Sequence, residues 1–248
     1  MDLRERREQL GHRHPWEVVR ASFFGNRIVK SAGNQPVNIL DLGSGDCWFA
    51  EQLLPRLPFG STITCCDINF TELDLSTPTA RGITKMRELP DGRFHIVVLL
   101  DVIEHVENDM DFLQANVRPK LAEGGMVLIS VPAHPYLFSE HDQFLGHYRR
   151  YTRRQLLATN NTMFTPHENG YLFVSLALVR LVQRLLPQNR DTDQQGVGSW
   201  TSGKPFTKLV TALLSIDALT STALRRLRIH LPGLTVWVSS TGKVVKSQ

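Results

Sequence analysis

Two glycines and two carboxylates carry the first chemical signal in this chain. The apolar stretch Asn38-Ile39-Leu40-Asp41-Leu42 runs directly into Gly43-Ser44-Gly45-Asp46-Cys47. Glycines at such a point let the backbone turn sharply and leave room for a ligand beside a sheet edge. A second apolar run, Ile63 to Cys66, ends at Asp67, 22 positions after Gly45. A carboxylate there can accept hydrogen bonds from two ribose hydroxyls, each worth roughly 1.5–3 kcal/mol when buried. A GxG turn after a strand, with an acidic strand end at this distance, points to an adenosine-containing ligand. The dinucleotide fingerprint GxGxxG needs a small residue at its sixth position, where this chain has Trp48. Neither GxxxxGKS nor GxxxxGKT occurs, so nucleoside triphosphates have no support.

Histidines carry the second signal. Four of the nine, His105, His134, His141 and His147, fall between residues 105 and 147. His105 follows the apolar run Phe94 to Leu100, and the other three lie in a polar, aromatic loop at 134–151. Ligands of an open α/β sheet bind outside the carboxyl ends of its strands, so both segments are expected at one cleft. Histidine titrates near neutral pH and suits a general base. His134, His141, Asp142 and His147 include the ligand types of a two-His-one-carboxylate metal centre. Their spacing matches no helical HExxH pattern, and no metal is expected. Arg149-Arg150 reads as a solvated pair or a carboxylate clamp, and His141 and Asp142 as hydrogen-bonded ties within the loop. His95, inside an apolar strand, is expected to be a satisfied core histidine.

The elements that must position these groups follow from hydrophobic periodicity. Residues 1–36 read as a basic helical segment with Trp16, Val19, Phe23 and Arg27 near helical spacing. Strands are expected from 37, 63, 83, 94, 126 and 234, and helices after the glycine turn, over Asp109–Leu121, at 152–159, and at 171–186 and 205–228. Strands alternating with helices predict an α/β fold with a doubly wound parallel sheet. The last two helices form an insertion before the final strand. One domain is expected: 1–36 an N-terminal segment, 37–170 the ligand-binding core, 171–230 the insertion, and 231–248 the last strand and tail.

Composition agrees with a globular protein. Of 248 residues, 42% are apolar and 21% charged, which excludes disorder and collagen and leaves enough apolar mass for a core without staples. Three cysteines, two of them adjacent, give no disulfide framework and no zinc spacing. A reducing cytoplasm fits, and the start of the chain has no signal-peptide character. The net charge of +4 permits anionic partners without pointing to nucleic acid.

Several motifs, in order, resemble class I S-adenosylmethionine-dependent methyltransferases. Ile39-Leu40-Asp41-Leu42-Gly43-Ser44-Gly45-Asp46 is similar to their first motif, with Cys47 where the third glycine usually stands. Leu89-Pro90-Asp91-Gly92-Arg93-Phe94-His95 resembles the approach to their fourth strand, and Asp101-Val102-Ile103-Glu104-His105-Val106 its end. Leu121 to Pro132 resembles their fifth strand. The 134–151 loop, His14-Pro15-Trp16-Glu17 with Arg20, and Leu231-Pro232-Gly233-Leu234-Thr235 are similar to a bacterial branch with an HD…H-x-RRY loop. The resemblance implies a Rossmann-like, seven-stranded, mostly parallel sheet, with S-adenosyl-L-methionine as cofactor and S-adenosyl-L-homocysteine as product. It implies that Asp41, Gly43, Ser44 and Gly45 hold the methionine part and Asp67 the ribose. Met86 would lie by the adenine, Ile68 would be a further cofactor contact, and Asp101 and Val102 would lie below the sulfonium.

Methyl transfer, most simply to oxygen, would use His105, His141 or His147 as base. His134, Asp142, Tyr148, Arg149, Arg150 and Tyr151 would line the acceptor side. The apolar helices at 171–186 and 205–228, with Arg225, Arg226 and Arg228 at one end, predict a lid over a small hydrophobic or amphiphilic acceptor. They also allow peripheral contact with the inner face of a membrane. No nucleic-acid partner is expected. The rival readings are a nucleic-acid or protein methyltransferase and a non-catalytic cofactor-binding module.

Overall fold

A computed structural model describes residues 13–185, 200 and 202–243. The basic start of the chain, most of the 188–203 link and the tail from 244 lie outside the described residues. Seven strands form one sheet: β1 (Asn38–Leu42), β2 (Thr62–Cys66), β3 (Ile83–Met86), β4 (Phe94–Leu100), β5 (Leu121–Pro132), β6 (Phe164–Leu172) and β7 (Thr235–Gly242). Their order is β3-β2-β1-β4-β5-β7-β6. β1 to β5 run parallel, and β7 runs antiparallel to both β5 and β6. The central strands are covered on both faces. Ile39, Val98 and Leu128 pack on one side with Phe24, Ile28 and Trp237, while Leu40, Val97, Leu99 and Ile129 pack on the other with Leu113 and Leu156. Burial on both faces is why β4 and β5 read as near-continuous apolar runs.

Helix α1 (Pro15–Ala32) starts on a proline, which suits the first turn of a helix, and buries Val19, Phe23, Phe24 and Ile28 at helical spacing. Helix α2 (Trp48–Leu53) follows the glycine turn, and α3 (Glu72–Ser76) is a single capped stretch between β2 and β3. The helix expected over Asp109–Leu121 is less regular than the periodicity predicts. It begins as α4 (Asp109–Phe112), widens to a π-turn over Leu113–Val117, and tightens to a 3₁₀ turn at Arg118–Lys120. Pro119, which lacks an N–H and crowds the preceding turn, accounts for the break. Helices α5 (Glu140–Leu145) and α6 (Arg153–Asn161) follow β5, and Thr152 caps α6 as expected.

Two departures concern strands. β6 carries Pro166, His167 and Gly170, a composition without strand signal, and it runs through Leu172, where the periodicity predicts a helix from 171. It is an edge strand with a register shift beside Pro166, where a missing N–H is tolerated. His95 is exposed rather than in the core. A bulge between Phe94 and Ile96 turns it outward, and its Nδ1 accepts the Asn38 N–H at 3.1 Å.

The insertion consists of α7 (Val174–Leu185) and α8 (Lys204–Arg226). Asp217 on α8 accepts the Val174 and Ser175 N–H groups at 3.2 and 2.7 Å, capping α7 and joining the pair. Leu214 and Ala218 are buried, but Leu178, Val179 and Val182 on α7, and Phe206, Leu209, Leu213 and Ile216 on α8, remain more than half exposed.

Candidate active site

β1 and β4 are neighbours at the point where the winding of the sheet reverses, so the loops leaving their carboxyl ends diverge and open a crevice. The glycine turn after β1 is fixed from both sides. Gly43 has φ +72°, its N–H donates to Cys66 O at 2.7 Å, and a Cβ there would lie 2.5 Å from Val102 Cγ2. Ser44 is buried behind it, and the Gly45 N–H donates to Asp67 Oδ2 at 2.9 Å. Cys47 takes the left-handed φ of +63° where the family pattern has its third glycine. A non-glycine residue there costs roughly 1–2 kcal/mol, and burial of the Cys47 side chain offsets part of it.

Asp41, on β1, is buried, and its Oδ2 has no hydrogen-bond partner. Burial, reinforced by the nearby Asp67 charge, pushes its carboxyl up from 3.8 to about 7. An orphaned carboxylate oxygen under a glycine turn fits a cationic amino group, so the chain's own residues suit the methionine part of S-adenosylmethionine. The folded state holds the Asp41 proton more tightly than the unfolded chain. Its contribution to stability is therefore complete below about pH 4 and is lost as pH rises through about 7. Without ligand, Asp41→Asn should match wild type at pH 4 and exceed it by roughly 1–4 kcal/mol at pH 8. Urea titrations at the two pH values check this, and a pH-independent difference would remove Asp41 as its source.

Helix α1 closes the crevice from the amino-terminal side. Arg20 forms an ion pair with Asp101, which has φ +58°, and lies over the Trp16 ring at 4.5 Å. Arg13 pairs with Asp46 and lies over Trp48. Asp101 and Val102 thus form a braced floor. Met86 accepts the Asp67 N–H through its carbonyl at 3.1 Å, and Ile68 is 82% exposed at the rim, leaving an apolar edge beside the Asp67 carboxylate.

The histidine segments converge over β4 and β5. The 134–150 loop is zipped at its base, where the His134 N–H donates to Tyr151 O and the Tyr151 N–H to Pro132 O, both at 2.9 Å. Its hub is Asp142, fully buried. Oδ1 accepts from Arg150 Nε at 2.8 Å and pairs with His147 Nδ1 at 2.9 Å, while Oδ2 accepts the Ser139 N–H and hydroxyl, each at 2.9 Å. Burial opposes the charge, but these donors overcome it and hold the Asp142 carboxyl well below the usual carboxylate range. The Tyr148 N–H donates to Glu104 O at 2.7 Å and pins the loop to the turn after β4.

Several residues expected to meet an acceptor instead build this scaffold. Asp142 has both oxygens occupied. Tyr151 is buried and donates to Asp109 Oδ2 at 2.8 Å, with its hydroxyl pushed further up by burial and by Asp109. Arg150 is the carboxylate clamp, and Arg149 spans the Glu107 carbonyl and Asp109. Tyr148 remains exposed. His134 is buried at φ +65°, stacks on Tyr171 at 5.3 Å, and leaves Nε2 unpartnered. Burial lowers its basicity. His141 is half-buried. Burial, with Arg180 of α7 beside it, pulls it below the ordinary histidine value, which keeps its ring neutral near pH 7.

His105 meets His147 edge-on at 4.5 Å. Beside them lies Glu104, to which no pattern in the sequence assigns a role. Its side chain is 0% exposed, neither carboxylate oxygen receives a hydrogen bond from another residue, and burial pushes it up to about 8. Asp-Val-Ile-Glu-His at a strand end was the available signal, but only the turn at Ile103–His105 shows that Glu104 points inward.

A family model described as a methyltransferase domain matches residues 18–212. No curated protein matches the chain. Among solved structures, the chain is similar to the N-methyltransferase NodS from Bradyrhizobium japonicum WM9, with TM-score 0.52 and 14% identity, covering 93% of this chain and 98% of that one. An S-adenosylmethionine-dependent methyltransferase from Mesorhizobium loti gives TM-score 0.54 and 15% identity, with coverages of 91% and 96%. The plantazolicin methyltransferase BpumL, solved with a monoazolic desmethylPZN analogue and SAH, gives 0.53 and 13%, with coverages of 92% and 85%. At these identities the likeness is one of fold. With most of its length matched by the family model, the chain belongs to the methyltransferase-domain family, enzymes whose methyl donor is S-adenosylmethionine.

Proposed function

We propose that the chain transfers a methyl group from S-adenosylmethionine to an oxygen of a small hydrophobic or amphiphilic acceptor. The observation that carries this reading is the meeting of two sets of groups at one sheet edge. Asp41, Gly43, Gly45, Asp67 and Asp101 lie at the β1/β4 crevice, and His105, His141 and His147 stand over the adjoining strand ends. The cofactor supplies an electrophilic methyl group on a sulfonium. Asp67, already aligned by the Gly45 N–H, would take the ribose, and the unpartnered Asp41 oxygen the amino group. Asp101, held by Arg20, and Val102 would shape the floor under the sulfur. One of these histidines would accept the proton that the acceptor hydroxyl loses on methylation, with S-adenosylhomocysteine as the leaving product. Alignment of this kind supplies roughly 7–11 kcal/mol in intramolecular reactions, and a positioned base about 10²–10⁴-fold more.

The acceptor class rests on α7 and α8. Their exposed apolar faces form a patch beside Arg180, which neighbours His141. Such a patch suits a greasy acceptor. Arg226 and Arg228 are exposed at the end of α8 and could hold an anionic headgroup or dock the patch on the inner face of a membrane. Arg225, expected to join them, turns inward to Glu168 at 3.2 Å and over Trp237. No helix among the described residues is long and apolar enough to cross a membrane. The test is transfer of labelled methyl from S-adenosylmethionine into the aqueous small-molecule, lipid, RNA and protein fractions of a microbial lysate. Label is expected in the lipid or organic-extractable fraction. Label in RNA or protein would replace the acceptor class, and tight cofactor binding with no transfer would mark a non-catalytic module.

A further inference from the structure

Glu104, His105 and His147 each offer a ligand atom, and these atoms all lie within 4.8 Å of one another. We propose that they form a binding site for one divalent transition-metal ion of borderline softness, zinc or a close neighbour. This is a different set from the loop residues His134, His141 and Asp142 that ligand type alone brings forward. It joins the turn after β4 to the loop after β5, so no sequence spacing announces it.

Three features of the site point to a cation. Glu104 has both carboxylate oxygens buried with no hydrogen bond from another residue, a costly state that a bound cation would relieve. His147 pairs through Nδ1 with Asp142, which fixes its tautomer and leaves Nε2 as the donor nitrogen. Asp142 is itself held by Arg150 and Ser139. A carboxylate–histidine pair of this kind behind a metal ligand orients the ring and raises its basicity. The loop carrying His147 is also fixed to the turn carrying Glu104 by the Tyr148 N–H to Glu104 O bond of 2.7 Å. The two halves of the site are therefore held together before any ion binds.

Two imidazoles and one carboxylate suit zinc, iron, cobalt or nickel better than calcium or magnesium. Three protein ligands leave further coordination positions open. Resting on the methyl-transfer reading, those positions would take acceptor oxygens and make their hydroxyl more acidic, with His141 left as the base. Binding itself does not depend on that reading.

The experiment uses the full chain, free of any histidine tag, stripped with chelator and titrated with Co²⁺ in the absence of cofactor and acceptor. One Co²⁺ per chain should bind, with visible d–d absorption that Zn²⁺ abolishes, and the melting temperature should rise with ion concentration. Glu104→Gln, which keeps the side-chain volume, should weaken binding at least about 10-fold, and His105→Ala with His147→Ala should remove the absorption. His141→Ala should leave it unchanged. Absence of saturable Co²⁺ binding by wild type, or binding unchanged in Glu104→Gln, would overturn the site. If the double variant does not fold, wild type and Glu104→Gln decide the matter. Calorimetry of S-adenosylmethionine on the stripped protein tests the methyl-transfer reading separately.

Discussion

Gly43→Ala should weaken S-adenosylmethionine binding by about 10²-fold or more. Two independent costs meet at this residue. Its φ of +72° lies in the left-handed region, where a Cβ costs roughly 1–2 kcal/mol. The added Cβ would also sit 2.5 Å from Val102 Cγ2, and overpacking of this kind costs typically about 1–3 kcal/mol. Relief would come from moving the β1 turn away from the β4 turn, which breaks the Gly43 N–H to Cys66 O bond and disturbs the Gly45 N–H on Asp67. Both turns form the proposed cofactor bed, so the strain falls on binding as well as on folding. Val102→Ala in the Gly43→Ala background removes the clash and keeps the backbone cost. Isothermal calorimetry should show that double variant recovering about half of the lost free energy. Undiminished affinity in Gly43→Ala would place the cofactor elsewhere.

His141→Ala should lower kcat about 10²-fold while leaving S-adenosylmethionine affinity and melting temperature near wild type. Asp142 carries hydrogen bonds from Ser139, His147 and Arg150 that hold the loop. His147→Ala, in contrast, leaves a buried carboxylate short of a partner and should lower the melting temperature as well. The pH profile separates base from scaffold. A base must be neutral to accept the proton, and burial with Arg180 alongside draws His141 below 6.5. The acid limb of kcat/KM should therefore fall below pH 6.5 and vanish in His141→Ala. A retained limb, or loss of stability equal to that of His147→Ala, would assign His141 to the scaffold.

Much of the proposed cofactor side is local in the sequence, so its placement at the β1 and β2 strand ends was legible there. Asp41, Gly43, Ser44 and Gly45 share one strand–turn unit, and Asp67 ends the next strand. Strand end and glycine spacing are written in short stretches of chain, so parallel pairing of β1 with β2 brings them together without further information. Thr152 as a helix cap and the apolar runs of β4 and β5 were legible for the same reason. The edge strand β6 was not, because its residues gain strand geometry only by pairing with β7. His95 went the other way: an apolar neighbourhood predicted burial, and one bulge reversed it.

The acceptor side was decided by tertiary structure. Sequence grouped His134, His141, Asp142, His147, Arg149, Arg150 and Tyr151 as one polar loop. It could not tell which side chains would face a cleft and which would be consumed in holding the loop's shape. A buried carboxylate attracts every donor within reach, and Asp142 took Arg150, His147 and Ser139. The inward turn of Glu104 beside His105 and His147 likewise depends on contacts between segments about 40 residues apart. By itself the sequence determined the parallel strands β1 to β5, the glycine turn after β1 and the family resemblance. Which polar groups were left over for chemistry was decided only by the tertiary structure, because hydrogen-bond satisfaction is settled in three dimensions and leaves no period in the chain.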